Sequence, residues 1–370
     1  MKPLHIVHTE ASCGWGGQEL RILSEASGMI ARGHRVTLLC PPEARIHSEA
    51  PGFGVPVEAL PIGRKKLRGA RALRAWLRHH RPDVVNTHSS TDAWLVALAG
   101  LGRDDAPPMV RTRHISAPTP TNDLTRWLYT RATDFIVTTG EKLREELITR
   151  NGYPPGMIES VPTGIDIARF HPGDPAESRK RLGLAEAGRV LGIVATLRDW
   201  KGHLYLFEAC ARLQQEDWRL LVVGDGPMAT VLAARAEELG IADRVVFVGH
   251  REDPENWLRA LDIFCLPSYA NEGVPQALVQ AMLTALPIIT TPVGSITEAV
   301  EPDHSALVVE SRSGPALESA LRRLFGDPAL AARLGAAARE RALSRFTREA
   351  MLDRMERIFA ATVSGHAARR

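Results

Sequence analysis

The stretch IFCLPSYANEGVPQALVQ, Ile263 to Gln280, predicts a buried strand, a loop and a helix in succession. Pro275 is expected to be the first helical residue, because its missing N–H would be unpaired at that position, and the helix to run to about Ala285. The free N–H groups and the positive dipole end at a helix start favour anionic or polar oxygens. Glu272 adds a carboxylate that can accept hydrogen bonds from sugar hydroxyls. The stretch therefore predicts a ligand site at the end of a strand.

The same strand-loop-helix succession repeats along the chain, which predicts two α/β halves with parallel sheets. Amphipathic helices such as Gln18–Arg32, Trp94–Leu101 and Glu141–Thr149 separate most of the strands. A Pro- and Gly-rich linker at 162–175 divides the halves, so we expect domains at 1–167 and 168–346. The expected strands are Leu4–His8, Val36–Cys40, Val57–Leu60, Val84–His88, Met109–His114, Phe135–Thr138, Ile158–Val161, Val190–Thr196, Arg219–Val223, Val245–Val248, Ile263–Leu266, Ile288–Thr290 and Ala306–Val309.

The length and composition of the chain limit the classes of protein to which it can belong. A chain of 370 residues is too long for one ordinary core, and a net charge of +3 does not imply a nucleic-acid partner. The four cysteines are widely spaced without a CxxC, so we expect reduced thiols and neither a disulfide framework nor a zinc site. The opening residues predict a strand and not a signal peptide, and no apolar run is long enough for a membrane span. We therefore expect a cytoplasmic protein.

The loop Thr9–Glu19 follows the first strand and contains Gly14, Gly16 and Gly17. Glycines allow backbone N–H groups to approach a phosphate closely, and ligands of open α/β sheets bind at such loops. The loop lacks the GxGxxG spacing, and the second strand does not end in an acidic residue, which disfavours a dinucleotide site. The alternative interpretation is a tight turn without a ligand.

His88 and His114 are each expected at the end of a strand, where catalytic side chains tend to lie. Either histidine could hydrogen-bond a sugar hydroxyl or act on a proton. A purely structural histidine is an equally good interpretation of either residue alone.

The segment Arg64–Arg81 contains eight Lys or Arg residues and no acidic residue. Leu67, Ala70, Leu73 and Leu77 recur at helical spacing, which predicts an apolar face with Trp76 beside it. A basic amphipathic helix can lie on an anionic lipid surface. A helix that covers the core and leaves its basic face in solvent explains the pattern equally well.

Four loops of the second half carry residues suited to a diphosphate or a sugar. Arg198 and Lys201 follow its first strand, and two cations there can hold a diphosphate. Gly224 and Gly226 form a glycine turn after the next strand, and His250 follows another. The fourth loop carries Glu272. Each signal is weak alone, but together they predict one site at the carboxyl edge of a sheet.

These motifs, in this order and spacing, resemble the retaining glycosyltransferases of family 4, which have the GT-B fold. The resemblance covers nearly the whole chain and rests on Gly16-Gly17, the linker from Val161 to Pro172, Lys201-Gly202, Gly224–Pro227 and Glu272–Pro275. It implies two Rossmann-like domains facing each other across a deep cleft. The N-terminal domain would bind the acceptor and the C-terminal domain the nucleotide-diphosphate sugar. A last helix at about 347–363 would pack back on the N-terminal domain.

The resemblance also assigns roles. Arg198 and Lys201 would grip the diphosphate, Glu272 would contact the donor sugar, and His114 would lie near the reacting sugar. His88 and Trp15 would lie on the acceptor side. The other donor-binding residues would be Gly16, Gly17, Gly224, Gly226, His250, Gly273, Val274 and Gln280. The chain has Gln280 where the family usually has a second glutamate, and it keeps a carbonyl acceptor while losing a charge-assisted bond.

The sequence contains no Asp-x-Asp, and GT-B enzymes do not need one, so no metal or other cofactor is expected. Fixed cations would stabilise the departing nucleotide diphosphate, and a phosphate oxygen would take the acceptor's proton in a front-face displacement. The opening loop is similar to bacterial enzymes that build lipopolysaccharide or capsule glycans. A nucleotide-sugar 2-epimerase on the same fold and a two-lobed sugar-binding protein are the alternative functions.

Overall fold

A computed structural model describes residues 2–114, 118–184 and 188–368. The chain forms two compact units. The first holds the chain up to Gly164 and again from Arg348, and the second is Ile165–Thr347. The division falls three residues before the boundary expected at 167. No helix in the described ranges is both long and apolar enough to cross a membrane.

The first unit is built on a seven-stranded sheet whose neighbouring strands all pair in parallel. Ile6 points into one apolar cluster and Val7 into another, because successive side chains of a strand face opposite sides of a sheet. Helices cover both faces, which explains why central strands such as β1 and β4 are buried at every position. The strand order is β3-β2-β1-β4-β5-β6-β7, with β1 His5–Thr9, β2 Arg35–Cys40, β3 Val57–Ala59, β4 Val84–Thr87, β5 Met109–Arg113, β6 Phe135–Thr138 and β7 Ile158–Ser160.

The helices of the first unit include the last helix of the chain, which buries Met351, Leu352, Met355, Ile358 and Phe359 in the cluster that contains Ile6. These helices are α1 Gly17–Ala31, α2 Arg45–Glu49, α3 Leu67–His80, α4 Ser90–Gly100, α5 Asp123–Thr130, α6 Glu141–Thr149 and α15 Arg348–Ala368. The 347–363 segment expected to pack on the first domain therefore lies in this unit.

The basic segment forms α3, with one correction to its expected apolar face. Ala70, Leu73, Trp76 and Leu77 are buried in the core, whereas Leu67 is 64% exposed. The buried set begins one turn after the helix start, so Leu67 stands on the surface beside the lysines. Most of the apolar side of α3 is therefore buried in the core, and its basic side faces solvent.

The second unit contains a six-stranded parallel sheet in the order β10-β9-β8-β11-β12-β13. The strands are β8 Arg189–Val194, β9 Trp218–Val223, β10 Val245–Gly249, β11 Ile263–Leu266, β12 Ile288–Thr290 and β13 Leu307–Val308. The helices are α7 Pro175–Arg181, α8 His203–Ala211, α9 Ala229–Glu238, α10 Pro254–Arg259, α11 Gln276–Leu283, α12 Ile296–Ala299, α13 Gly314–Gly326 and α14 Pro328–Arg345. Each unit is a Rossmann-like domain, as the sequence predicted.

Both sheets have a point at which the direction of winding reverses. It lies between β1 and β4 in the first unit and between β8 and β11 in the second. Ligands of open α/β sheets bind at the carboxyl ends of strands beside such a point. The loops after these four strands are therefore the places to look for function.

Candidate active site

The loops after β8 and β11 bring two of the predicted site residues into direct contact. The Lys201 ammonium lies 2.6 Å from Oε1 of Glu272. Both side chains are largely shielded from water, with 16% of the Lys201 side chain and 5% of the Glu272 side chain exposed. Because low exposure weakens screening, this ion pair holds both groups in place at the winding reversal of the second sheet.

Ser268 is a member of this site that the sequence analysis missed. Its hydroxyl donates to the same Glu272 oxygen at 2.6 Å. The N–H of Tyr269 donates to the Trp200 carbonyl at 2.8 Å, which ties the β11 loop to the β8 loop. The only sequence signal for Ser268 is its place just past a strand end, which many structural serines share.

Arg198 differs from Lys201 in its surroundings. It is exposed, and its guanidinium lies 5.6 Å from the centre of the Trp200 ring. No carboxylate forms an ion pair with it within the described ranges, so its charge is available to an anionic ligand at this edge of the sheet. The structure thus places one paired and one unpaired cation on the β8 loop.

Gly224 and Gly226 are needed for close backbone packing, whether or not a ligand is bound. A Cβ atom on Gly224 would lie 1.9 Å from the Ala195 carbonyl oxygen, and one on Gly226 would lie 2.6 Å from the Leu197 carbonyl oxygen. The N–H of Leu197 also donates to the Asp225 carbonyl at 2.9 Å. These glycines allow the β9 loop to lie against the β8 loop that carries Arg198, so they support the site through its backbone.

The start of α11 differs slightly from expectation. Pro275 precedes the helix as its N-cap, with φ −70° and ψ 128°, and the helix runs from Gln276 to Leu283. Because the ψ angle of Pro275 is extended, this residue leads into the helix but is not itself helical. No side chain of the described residues caps this helix start. Val274 and Pro275 separate the helix start from Glu272 and Gly273.

The other predicted donor-binding residues of the second unit differ in how deeply they are buried. Val274 is buried in the core of the second unit, so that only its backbone can serve a ligand. Gln280 is half-buried one turn into α11, and His250 is exposed just after β10. The structure thus brings Lys201 and Glu272 into contact, with Arg198 on the same loop as Lys201 and with Gly273 and Val274 next to Glu272 in sequence.

In the first unit, the Glu19 carboxylate lies close to the glycines at the start of α1. A Cβ atom on Gly16 would lie 3.9 Å from Oε2 of Glu19, and one on Gly14 would lie 4.0 Å from Oε1. Burial raises the pKa of Glu19, and hydrogen bonding from the backbone of Glu19 and Gly16 and from Ser12 opposes the shift. Gly16 is the N-cap of α1 and Gly17 is its first residue, and their contact with a donor phosphate stays a prediction. Trp15 lies beside this loop under the Arg45 guanidinium, which is 4.9 Å from the ring centre.

His88 and His114 lie just after β4 and β5 and not at their last positions, and a third histidine joins them. His88 Nδ1 lies 2.9 Å from His114 Nε2, and His88 Nε2 lies 2.8 Å from His8 Nδ1. His8 is fully buried in β1, and His88 is nearly so. Burial lowers the pKa of His8 to about 3 and holds the pKa values of His88 and His114 well below the usual value. All three imidazoles are therefore neutral at physiological pH.

A pair of buried carboxyl groups beside this loop was also missed from the sequence. Burial, followed by the neighbouring Asp92 charge, raises the pKa of Glu10 to about 8. Glu10 accepts from the Ser12 N–H at 2.6 Å and from the Gln18 amide, so it orders the loop between β1 and α1. Asp92 accepts from the Ser89 N–H at 2.8 Å and from the Thr9 hydroxyl at 2.8 Å, so it joins the start of α4 to the end of β1. Within the described residues, no three His, Cys, Asp or Glu side chains are arranged to hold a metal ion.

Comparison with known proteins gives the family. The model for Glycosyltransferase Family 4 matches residues 15–169, and the model for Glycosyl transferases group 1 matches residues 174–341. A D-inositol 3-phosphate glycosyltransferase from Mycobacterium sp. (strain JLS) is 30% identical over 337 residues, which are 80% of this chain and 74% of that enzyme. The chain belongs to the group 1 glycosyltransferases.

Two further curated glycosyltransferases differ in their named acceptors. A D-inositol 3-phosphate glycosyltransferase from Stackebrandtia nassauensis is 31% identical over 72% of this chain, and the chain spans only 65% of that enzyme's length. A 2-deoxystreptamine glucosyltransferase from Streptomyces kanamyceticus is 28% identical over 84% of this chain and 89% of that enzyme. Relatives at similar identity therefore carry the names of different acceptors.

Solved glycosyltransferase structures confirm the GT-B fold. A glycosyltransferase from Rickettsia africae superposes with a TM-score of 0.87 at 18% identity, covering 98% of this chain and 99% of that chain. Anabaena HepE, solved in complex with UDP and glucose, superposes with a TM-score of 0.84 at 20% identity, covering 97% of this chain and 100% of that chain. At these identities the likeness establishes the architecture alone.

Proposed function

We propose that this glycosyltransferase moves a sugar from a nucleotide-diphosphate sugar to a glycan or glycolipid acceptor, with retention of anomeric configuration and without a metal ion. The observation that carries the proposal is the contact between Lys201 and Glu272 at the winding reversal of the second sheet, with Arg198 on the same loop as Lys201. Two cations and a fixed carboxylate there suit a sugar attached to a diphosphate.

In the proposed mechanism, the second unit binds the donor. Arg198 and Lys201 hold the diphosphate, and the N–H groups at the start of α11 add positive potential. Glu272, fixed by Lys201 and Ser268, accepts hydrogen bonds from the donor sugar hydroxyls. As the bond from the anomeric carbon to the diphosphate breaks, these groups stabilise the charge that develops on the leaving group. The acceptor hydroxyl oxygen bonds to the anomeric carbon on the same face of the sugar, and an oxygen of the departing diphosphate takes its proton.

The first unit is proposed to bind the acceptor, with Trp15 on that side and His114 near the reacting sugar. His88 was expected on the acceptor side, but it is buried and both of its ring nitrogens hydrogen-bond neighbouring histidines, so it supports His114 instead. A bacterial lipopolysaccharide or envelope polysaccharide is the proposed class of acceptor. A small phosphorylated polyol is the second candidate, because the curated relatives from Mycobacterium and Stackebrandtia are named for inositol 3-phosphate. The basic residues of α3 suit either a phosphorylated acceptor or an acceptor in an anionic lipid surface.

The test of this function starts with a panel of nucleotide sugars in thermal unfolding. UDP-glucose is the first probe, because HepE was solved with UDP and glucose. A donor at about 100 times its Kd is expected to stabilise the fold by about 2.7 kcal/mol. The stabilising donor is then incubated with envelope glycolipids or with inositol phosphate, and the product's anomeric configuration is determined by NMR.

The outcomes separate the alternatives. Retention in a new glycoside supports the proposal, and an inverted product contradicts the mechanism. Conversion of the donor sugar without any acceptor would favour a nucleotide-sugar 2-epimerase. Stabilisation by free sugar but by no nucleotide sugar would favour a two-lobed sugar-binding protein.

We also propose that the basic segment 64–81 attaches the enzyme to the inner face of the cytoplasmic membrane. The apolar side of α3 packs in the core, so the exposed cations, with Leu67 among them, would make an electrostatic contact. We expect the protein to co-sediment with vesicles containing anionic lipid and not with neutral vesicles. The double substitution Arg68→Glu and Arg71→Glu should weaken that recovery at least tenfold, because each basic residue contributes about 1 kcal/mol.

The matched control reverses charge elsewhere on the same unit. Lys142→Glu with Arg150→Glu changes two exposed cations on and after α6. This pair should leave recovery with anionic vesicles nearly unchanged. Equal recovery of the native protein with neutral and anionic vesicles would contradict membrane attachment through charge.

A further inference from the structure

Three histidines from three neighbouring strands form a single file of imidazoles in the first unit. The rings of His8 and His88 are nearly parallel, with centroids 5.1 Å apart and planes 12° apart. Those of His88 and His114 are also 5.1 Å apart, with planes at 36°. Hydrogen bonds of 2.8 and 2.9 Å link the three rings through ring nitrogens. The file runs from fully buried His8 to half-buried His114.

A file of neutral imidazoles has only two hydrogen-bond arrangements. Each neutral ring carries one N–H and one lone pair, so a ring that donates on one side accepts on the other. In the outward arrangement, His8 Nδ1–H donates to His88, and His88 Nδ1–H donates to Nε2 of His114. The third proton of the file is then on His114 Nδ1, which faces away from the other two rings. In the inward arrangement every bond reverses, and His114 Nδ1 carries a lone pair.

The buried end of the file favours the outward arrangement. Nε2 of His8 is inaccessible to water and has no hydrogen-bond partner within the described residues. The inward arrangement would place an N–H there, whereas the outward arrangement leaves a lone pair. The Arg21 guanidinium is close enough to lower the pKa of His8, and a nearby cation is more compatible with a lone pair than with an N–H.

We propose that His8 and His88 are positioning residues that fix His114 as its Nδ1–H tautomer, so that His114 donates a hydrogen bond to a substrate oxygen. The sequence left two roles open for this histidine, a hydrogen bond to a sugar hydroxyl or action on a proton. A ring whose outward nitrogen already carries a proton cannot accept one there. The substrate role of His114 rests on the proposed transferase function, whereas its tautomer does not.

The same geometry excludes a proton relay through the file. A relay needs a group at the far end that gives or takes a proton, and none of the described residues hydrogen-bonds His8 Nε2. Passing a proton outward, with uptake at His8 Nε2 and release from His114 Nδ1, would also reverse both hydrogen bonds and leave an unpaired N–H on His8 in the core. The file therefore serves to orient and not to conduct.

The direct test is the tautomer of His114 in the native protein. Selective ¹⁵N-histidine labelling distinguishes protonated from unprotonated ring nitrogens, and His114→Asn assigns the signals. We expect His114 to be neutral with its proton on Nδ1, and His88 to carry its proton on Nδ1 as well. A His114 proton on Nε2 would overturn the proposal, as would a charged ring at pH 7.

Substitutions at His8 test whether the hydrogen bond at the buried end of the file determines which ring nitrogen of His114 carries the proton. His8→Phe removes the first donor, so His114 should become a mixture of tautomers and kcat should fall about fivefold, the effect of one lost hydrogen bond. His8→Asn places an amide N–H near the position of Nδ1 and should restore both the tautomer and most of the rate. The matched control is His5→Phe, another buried histidine of β1 outside the file.

The tautomer measurement and the activity measurement test separate claims, so one claim can fail while the other stands. If no nucleotide sugar is a substrate, the transferase function is wrong while the tautomer measurement stands. If His8→Phe folds and leaves the His114 tautomer unchanged, the positioning role is wrong whatever the activity. Should His8→Phe fail to fold, the native tautomer and His8→Asn still decide the matter.

Discussion

Lys201→Ala should lower kcat at least 100-fold while the protein stays folded at the assay temperature. Removing one preorganised group that stabilises charge in a transition state typically costs 10²–10³ in kcat. Lys201 is proposed to face the leaving diphosphate, and its contact with Glu272 at 2.6 Å fixes it there. Steady-state transfer at saturating donor gives the measurement. Lys180→Ala, on the exposed surface of α7, is the matched control and should retain the native rate.

Because Glu272 is buried, a second variant is needed to separate the loss of activity from the loss of stability. Lys201→Ala leaves the Glu272 carboxylate shielded from water without its cation, which costs free energy of folding as well as activity. The double variant Lys201→Ala with Glu272→Gln removes that unpaired charge, so it should recover much of the lost stability. Its transfer rate should remain low, because no cation has been returned to the leaving group.

The two readouts thus separate a catalytic cation from a structural ion pair. A double variant that regains both stability and rate would show that Lys201 serves only to neutralise Glu272. A near-native rate for Lys201→Ala alone would contradict the proposed leaving-group stabilisation outright.

The sequence predicted the fold well because parallel sheets give strong local signals. The helix expected at Glu141–Thr149 occupies those residues, and each expected strand overlaps an observed one. Lys201 and Glu272 were both predicted to lie at one sheet edge from their positions after strands, since the carboxyl ends of parallel strands meet there. Their contact joins residues 71 positions apart, a fact that no local pattern contains.

The misses have a common physical cause. His8 lies inside a buried strand, and its importance depends on His88 being 80 residues away in sequence and 2.8 Å away in space. Leu67 matched the helical spacing of the buried face, yet the core begins one turn later, so it is exposed. Periodicity indicates which residues share a face, but packing determines how much of that face is covered.

Gly294→Ala should be among the most damaging single-methyl changes in the second unit. Gly294 follows β12 with φ +59°, and a Cβ there would lie 1.9 Å from the Glu272 carbonyl oxygen. The Ser295 N–H donates to that same oxygen at 3.2 Å, so the two loops lie against each other through their backbones. We expect a loss of about 3 kcal/mol in the free energy of unfolding, from positive-φ strain and the clash together. Urea unfolding measures it.

The control separates strain from the clash. Gly240→Ala adds the same methyl group at a similar φ of +66°, where nothing lies within 4 Å of the new atom. It should cost only about 1 kcal/mol and leave transfer unchanged, because its penalty is conformational strain alone. Gly294→Ala should also impair transfer, since relieving its clash displaces the loop that holds Glu272 against Lys201. If the two variants proved equally stable and equally active, the backbone contact at Gly294 would not be what positions Glu272.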